Sequence, residues 1–448
     1  MPYRMDCLSC RVRRLITQIA EIFILALAGI VIGTIVSLFE VLFVKVLNQV
    51  TWFHQNYGNC LWLFTLPTVG MLIVWMFERF GTKARQGIGL VFKVNQGTEK
   101  ALPKRIVFMM MISTWLSHLA GASVGKEGVG MQIGAVVSNT ISRQLPYFRE
   151  RKTIFLITGM AAGFSGLFGT PFTAVFFAME VLVSGVIEYR ALAPALAASL
   201  SAAGIARLCG LGKEAFLLPY SFEIGLVHDC WKLAILGILF GLVGGFFAWC
   251  MHQAHHYFDH SRLNPYYRIA FFSAGLAGLL WLFYDGRYSG SGVNLITYAC
   301  TGNQIYPWDF ALKFGLSVLS LSMGFIGGEV TPLFAIGASL GAILGPLFGY
   351  PPAFGAALGY AAVFGAGTNT WLAAMMVGME IFGMNFFPFF FVCCSAAYLA
   401  NGNLSIYSLQ RRLDVVFKPI EYPNSINAAN RAVDNRGMDK EKQAGQAS

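Results

Sequence analysis

Charge is what this chain has least of: Asp, Glu, Lys and Arg supply 12% of its 448 residues, against 56% hydrophobic residues. So little polar surface cannot cover a water-soluble globule of this length. Signatures of catalysis are also missing. An intramembrane or metal-dependent enzyme would need a constellation such as H-E-x-x-H, or a Ser-Lys or Asp-Asp pair at intramembrane spacing, and the chain has none. No basic stretch is interleaved with base-stacking aromatics, so the net charge of +10 is not a nucleic-acid footprint. The nine cysteines are scattered, and Cys7 and Cys10 form a lone C-x-x-C with no second pair or histidine at zinc-site spacing. His252, His255, His256 and His260 fall near helical-turn spacing, but only Asp259 is at hand to complete a metal site. A helix end leaving the membrane at Tyr257 and Phe258 accounts for them better. No metal, no cofactor and no enzymatic activity is expected.

What the chain does have is apolar runs long enough to span a bilayer, at 22–47, 61–77, 106–122, 153–184, 191–211, 231–251, 268–284, 310–326, 333–349, 353–382 and 386–400. Hydrocarbon offers the backbone no hydrogen bonds, so the spans must be helical. The class is an all-α polytopic membrane protein. Lys and Arg collect in short connectors, among them Arg11, Arg13, Arg14, Arg79, Lys83, Arg85, Arg149, Arg151, Lys152, Arg411, Arg412 and Lys418. By the positive-inside rule both termini face the cytoplasm, as in a bacterial inner membrane. Residues 11–29 imitate a secretory signal peptide, but Gln18 and Glu21 interrupt the short core and hydrophobicity runs on to Leu47, which favours a retained first helix. The expected organisation is a cytoplasmic segment 1–20, membrane repeats at 21–210 and 211–421, and a polar, disordered cytoplasmic tail at 422–448.

The repeat is visible directly. Residues 161–180 align without gaps on 361–380, with seven of twenty positions identical, including the closing Met179-Glu180 and Met379-Glu380. Gly87-Ile88-Gly89 answers Gly290-Ser291-Gly292, and Gly125-Lys126-Glu127-Gly128 answers Gly327-Gly328-Glu329-Val330-Thr331-Pro332. Three motifs in one register point to internal duplication, a transporter signature.

Each motif places small residues ahead of an apolar run, which lets a helix begin inside the membrane. A helix N-terminus presents unpaired N–H groups and about half a positive charge, so several converging at mid-membrane form an anion site without a fixed lysine. Close helix packing is an alternative use for the glycines, but it does not explain Glu127 or Glu329, because an acid inside hydrocarbon is costly and marks a transport path.

These residues resemble the CLC family of chloride channels and proton-coupled anion antiporters. Gly125-Lys126-Glu127-Gly128, with Gln132-Ile133-Gly134 after it, is similar to that family's G-K/R-E-G-P motif, and Gly328-Glu329-Val330-Thr331-Pro332 to its G-x-F-x-P motif. Gly87-Ile88-Gly89 sits where the family has G-S-G-I-P, and Tyr407 matches its late pore tyrosine. The resemblance covers roughly 20–412. It implies two inverted-topology repeats of membrane and re-entrant helices, a homodimer with one pore per subunit set in lipid, and a small halide and protons as cargo. Ile88 replaces the family's central serine, which removes a hydroxyl donor for dehydrated chloride, while Glu329 and Thr331 resemble the fluoride-exporting branch. That branch often has methionine where Ile88 stands, so fluoride and chloride both stay open. Val181 occupies the place of the chloride antiporters' inner proton-transfer glutamate, so that inner route is not expected.

The implied mechanism sets Glu127 at a helix N-terminus, competing with the anion for the same N–H groups. Burial and the helix end act on its proton in opposite senses, which makes protonation near neutral pH feasible. Gly87, Ile88, Gly89, Gly125, Lys126, Gly128, Val330, Thr331 and Tyr407 are the expected anion-site residues, with Glu329 a second candidate for proton handling or else a helix-capping acid. Glu180 and Glu380 are expected to reach an interface or pair with an arginine. A fluoride/proton antiporter is the leading expectation; a voltage-gated-type chloride channel or a chloride/proton antiporter on the same fold is the alternative.

Overall fold

The computed structural model describes residues 8–57, 60–81, 85–212, 215–216, 218 and 225–412. Cys7 and the tail 422–448 lie outside the described residues. Within them the chain forms sixteen α-helices in two series. The first comprises α1 (Leu8–Tyr57), α2 (Leu66–Phe80), α3 (Gly89–Asn95), α4 (Arg105–Ala120), α5 (Glu127–Gln144), α6 (Lys152–Phe168), α7 (Pro171–Glu180) and α8 (Leu192–Leu208). The second comprises α9 (Leu226–Asp259), α10 (Pro265–Leu282), α11 (Val293–Thr301), α12 (Asp309–Met323), α13 (Val330–Leu347), α14 (Pro352–Thr368), α15 (Trp371–Phe382) and α16 (Phe387–Ala400). The series match member for member: α5 and α13 have 18 residues each, and α6 and α14 have 17 each.

Five helical stretches among the described residues are long and apolar enough to cross a membrane: Arg13–Tyr57, Leu61–Phe80, Tyr189–Leu208, His228–Asp259 and Val330–Leu347. Two of the expected single spans are each broken in two. The run 153–184 stops after α6 because Gly169 turns left-handed (φ 67°) and Pro171, at the start of α7, has no N–H to continue the ladder. The run 353–382 breaks in the corresponding place, where Asn369 takes the left-handed turn (φ 56°). Hydrophobicity alone cannot register such breaks, since both sides of each are equally apolar.

The core is built on backbone contact. A Cβ added to Gly134 of α5 would overlap the carbonyl of Gly159 on α6, and one on Gly163 would overlap the carbonyl of Gly130. The second series repeats this with Gly337 and Gly341 of α13 against Gly359 and Gly355 of α14. These glycines bring helix axes close where lipid supplies no hydrophobic drive, so dispersion does the holding. For Gly134 and Gly337, packing is therefore the right reading. Outside this core, α1 packs on α8 and α9 on α16, while Phe23, Leu27, Ile30 and Leu38 of α1 face outward, as lipid-facing residues do.

The two series are inverted with respect to each other. The Glu180 carboxylate at the end of α7 accepts the N–H groups of Leu372 and Ala373 at the start of α15, both at 3.0 Å. The Glu380 carboxylate at the end of α15 accepts those of Phe172 at 3.1 Å and Thr173 at 2.7 Å at the start of α7. Contacts that map onto themselves when the partners are exchanged require a two-fold relation between them. In place of the arginine partners expected, each satisfies orphan N–H groups of the other repeat.

Gly134→Ala is expected to destabilise the protein by about 1–3 kcal/mol or more through overpacking, while Gly275→Ala on α10, where an added Cβ meets nothing within 4 Å, leaves stability unchanged or slightly higher. Thermal unfolding in detergent, followed by intrinsic fluorescence, checks both.

Candidate functional site

Helices α5 and α13 start against each other. Gly125 donates its N–H to the Gly328 carbonyl at 2.7 Å, and Gly328 donates to the Gly125 carbonyl at 2.9 Å, forming an antiparallel bridge. Two helix N-termini thereby converge in the protein interior, so that the partial positive charges at their ends add. The approach needs glycine. A Cβ on Gly125 would sit 2.5 Å from Oε2 of Glu127, and one on Gly328 would crowd the same oxygen.

Glu127 is the first residue of α5 and is wholly buried, its carboxylate lying beside both bridge glycines. Neither oxygen has a well-formed hydrogen bond, and the donors facing them are backbone N–H groups of Glu127 itself, Thr331 and Lys126. An acid buried without full satisfaction, aimed at backbone donors, occupies the place an anion would take. Lys126 is the N-cap residue of α5; its ammonium lies 5.9 Å over the Phe168 ring, and its charge acts on Glu127.

A cavity of about 610 Å³ leads toward this point. Gly87, Ile88, Gly89, Gly128, Glu329 and Tyr407 all line it, so the structure brings most of the expected site residues together. Gly87 and Gly290 hold equivalent left-handed conformations (φ 57° and 65°) in the two matched loops, which explains glycine at both positions. Ile88 is the N-cap residue of the short α3 and presents no side-chain donor. Gly125, Lys126, Glu127, Val330 and Thr331 are not on the cavity wall: the cavity ends before the carboxylate, and Glu127 lies beyond it, shut from solvent.

Neutral donors surround the closure. The Tyr407 hydroxyl and the Thr331 hydroxyl are buried with no partner. The Tyr407 ring is fixed by Phe92 and Phe177, with centroids 5.6 and 6.5 Å away, and the charges of Glu329 and Glu127 both act on it. Glu329 is the N-cap residue of α13, yet its side chain makes no capping bond. It lines the cavity while standing at the helix start, the position that its alternative reading as an acid favoured by the helix dipole requires.

Two residues escaped the sequence reading. Lys313 on α12 is wholly buried, with its ammonium donating to Ser123 Oγ at 2.9 Å and to the carbonyls of Tyr288 at 3.2 Å and Gly290 at 2.7 Å. Three acceptors match three protons, so Lys313 ties the Gly290 loop to the chain just ahead of Glu127. Glu40 on α1 is wholly buried too. Both lie inside runs taken as apolar spans, and the rule that intramembrane charges are costly would have singled them out. Of the four histidines read as a helix end, His252 and His255 lie on the cavity wall with Asp259, whereas His256 and His260 stack at 4.1 Å outside it. Among the described residues, no group of three or more His, Cys, Asp or Glu is placed to hold a metal.

The profile of the voltage-gated chloride channel family matches residues 69–402. A chloride/fluoride channel protein of Pseudomonas syringae pv. tomato is 33% identical, with 86% of each chain covered. An H(+)/Cl(−) exchange transporter of Klebsiella pneumoniae is 26% identical, covering 90% of this chain and 92% of its own. Among solved structures, a CLC-type fluoride/proton antiporter is 42% identical with a TM-score of 0.84, over 88% of this chain and 99% of that one.

Tyr407→Phe keeps the ring against Phe92 and Phe177 but deletes the unpartnered hydroxyl. It is expected to leave thermal stability intact and to weaken halide binding by about 1.5 kcal/mol, roughly tenfold in Kd, measured by titration calorimetry.

Proposed function

Since this chain belongs to the CLC family of anion channels and transporters, we propose that it is a fluoride/proton antiporter that exports fluoride, with Glu127 as both gate and proton carrier. The observation that carries the reading is the Glu127 carboxylate, wholly buried beside the bridge between α5 and α13 and facing backbone N–H groups. The ionised carboxylate fills the anion's place. A proton removes its charge and its claim on those N–H groups, the side chain leaves, and an anion enters. One position thus serves proton and anion in turn, which makes their movements exchange for each other.

Fluoride is supported by the donor set and by what the site lacks. Fluoride is small, strongly hydrated and needs hydrogen-bond donors to replace its water, and the unpartnered hydroxyls of Tyr407 and Thr331 are such donors. Ile88 offers none where a chloride site of this family would have serine. The relatives named for fluoride, at 33% and 42% identity, agree with this assignment. Glu329, on the cavity wall ahead of the gate, is placed to hold a proton between Glu127 and the cavity, the work an inner glutamate at Val181 would otherwise do. Gly87, Ile88, Gly89, Gly125, Lys126, Gly128 and Val330 shape the anion path with their backbone.

The cavity opens to the cytoplasm in this proposal, because the exposed Arg85 lies on its wall and follows α2 in a basic connector. Both termini then lie in the cytoplasm of a bacterial inner membrane. Two such chains form a homodimer with one pore each, and each chain divides into repeats at 21–210 and 211–421.

In proteoliposomes with a fluoride gradient, fluoride efflux is expected to drive proton uptake in a fixed ratio; fluoride moving without protons, or chloride moving equally fast, overturns the assignment. Glu127→Gln is expected to abolish proton movement in simultaneous pH recordings, and coupling that survives would place the gate elsewhere. Ile88→Ser restores a hydroxyl beside the path and is expected to raise the chloride-to-fluoride flux ratio.

A further inference from the structure

Five acids are buried among the described residues: Glu40, Glu127, Glu180, Asp229 and Asp309. Three are accounted for. Glu180 caps α15, Asp229 pairs with Lys232 at 2.7 Å, and Asp309 pairs with Arg287 at 2.7 Å. Glu127 is the gate. Glu40 remains: it is 0% exposed, both its oxygens lack a hydrogen-bond partner, and it is not on the cavity wall.

Its surroundings are made to admit it. Glu40 projects from α1 against α5 and α6, where a Cβ on Gly130 would approach Oε1 to 3.2 Å and Oε2 to 3.4 Å, and one on Gly166 would come within 3.3 Å of Cγ. Gly130 is three residues beyond Glu127 on α5, a spacing that puts the two positions on one face of the helix. The two carboxyl groups also share a counter-charge, since Lys126 acts on both Glu40 and Glu127.

We propose that Glu40 is a second proton-handling residue of the exchange, an acid set off the anion path that hands its proton to Glu127. The proposal rests on the antiport reading above. An ionised carboxylate is costly in an apolar interior; backbone N–H groups at a helix start face Glu127 and none act on Glu40, so at rest Glu40 holds its proton and Glu127 is the ionised member. The two carboxyl groups do not hydrogen-bond each other in this structure; a side-chain rotation or a bridging water brings them into contact, and one proton then passes from the Glu40 carboxyl to the Glu127 carboxylate. Glu127 becomes the neutral acid and leaves the anion's place; Glu40 becomes the carboxylate until a proton from the side away from the cavity restores it. No other bond changes, and the Lys126 charge acts on both carboxyl positions. Protons thereby reach the gate without crossing the anion route.

The test uses the full chain in proteoliposomes, with fluoride and pH recorded together. Glu40→Gln reproduces the shape of the neutral acid but cannot pass on a proton. It is expected to cut coupled turnover by about a hundredfold, with fluoride Kd and thermal stability unchanged, and Glu40→Asp is expected to recover part of the rate. Glu40→Gln exchanging at the wild-type rate and ratio overturns the proposal. Infrared difference spectra supply a readout on the wild-type chain: during turnover one carboxylic-acid C=O band should be lost as Glu40 gives up its proton while a second appears as Glu127 takes it. A wild-type spectrum with only one such acid band, lost in Glu127→Gln, overturns the proposal whether or not the Glu40 variants fold. Wild-type protein that moves no protons overturns the antiport reading itself, and this inference with it.

Discussion

The two backbone hydrogen bonds between Gly125 and Gly328 are the constraint from which the site follows. A helix that starts inside a membrane exposes N–H groups that hydrocarbon cannot satisfy. Here two such starts meet, each glycine donating to and accepting from the other at 2.7 and 2.9 Å. The bridge fixes where both N-termini point, and it leaves the N–H groups just after it facing one small volume. Only glycine tolerates the approach, because any side chain carbon there would displace the Glu127 carboxylate. The cluster of N–H groups facing the Glu127 carboxylate is thus a by-product of solving a backbone hydrogen-bond problem for two helices at once.

The duplication spreads the same solution through the molecule. Glu180 and Glu380 exchange caps between α7 and α15, and the glycine contacts of α5 with α6 recur in α13 with α14. Against this symmetry the two motif acids have diverged. Glu127 is the first residue of its helix and lies wholly buried, whereas Glu329 is one position earlier relative to its helix, an N-cap residue whose side chain faces the cavity. A shift of one helical position leaves one of two equivalent residues buried beyond the cavity and puts the other on its wall.

Much of this was legible before the fold was known. Gly125 through Gly128, Gly327 through Pro332 and the Gly87 and Gly290 loops were found as a repeated set, and Ile88, Glu329 and Tyr407 line the cavity. Other features were not legible. The breaks at Gly169 and Asn369 sit inside runs of uniform hydrophobicity, so a window that averages over about 20 residues passes across them. Lys313 and Glu40 were hidden the same way, each diluted by the apolar run around it.

Composition and the register of the repeats determined, by themselves, that this is a helical membrane protein built twice, since those properties depend only on the residues present and their spacing. The state of each acid was decided by tertiary structure alone. Glu180 and Glu380 find donors about 200 residues away in the other repeat, and Glu127 and Glu40 find none that satisfy them. In a medium without water a buried acid is defined by the groups that reach it, and those groups arrive only when the two halves close on each other.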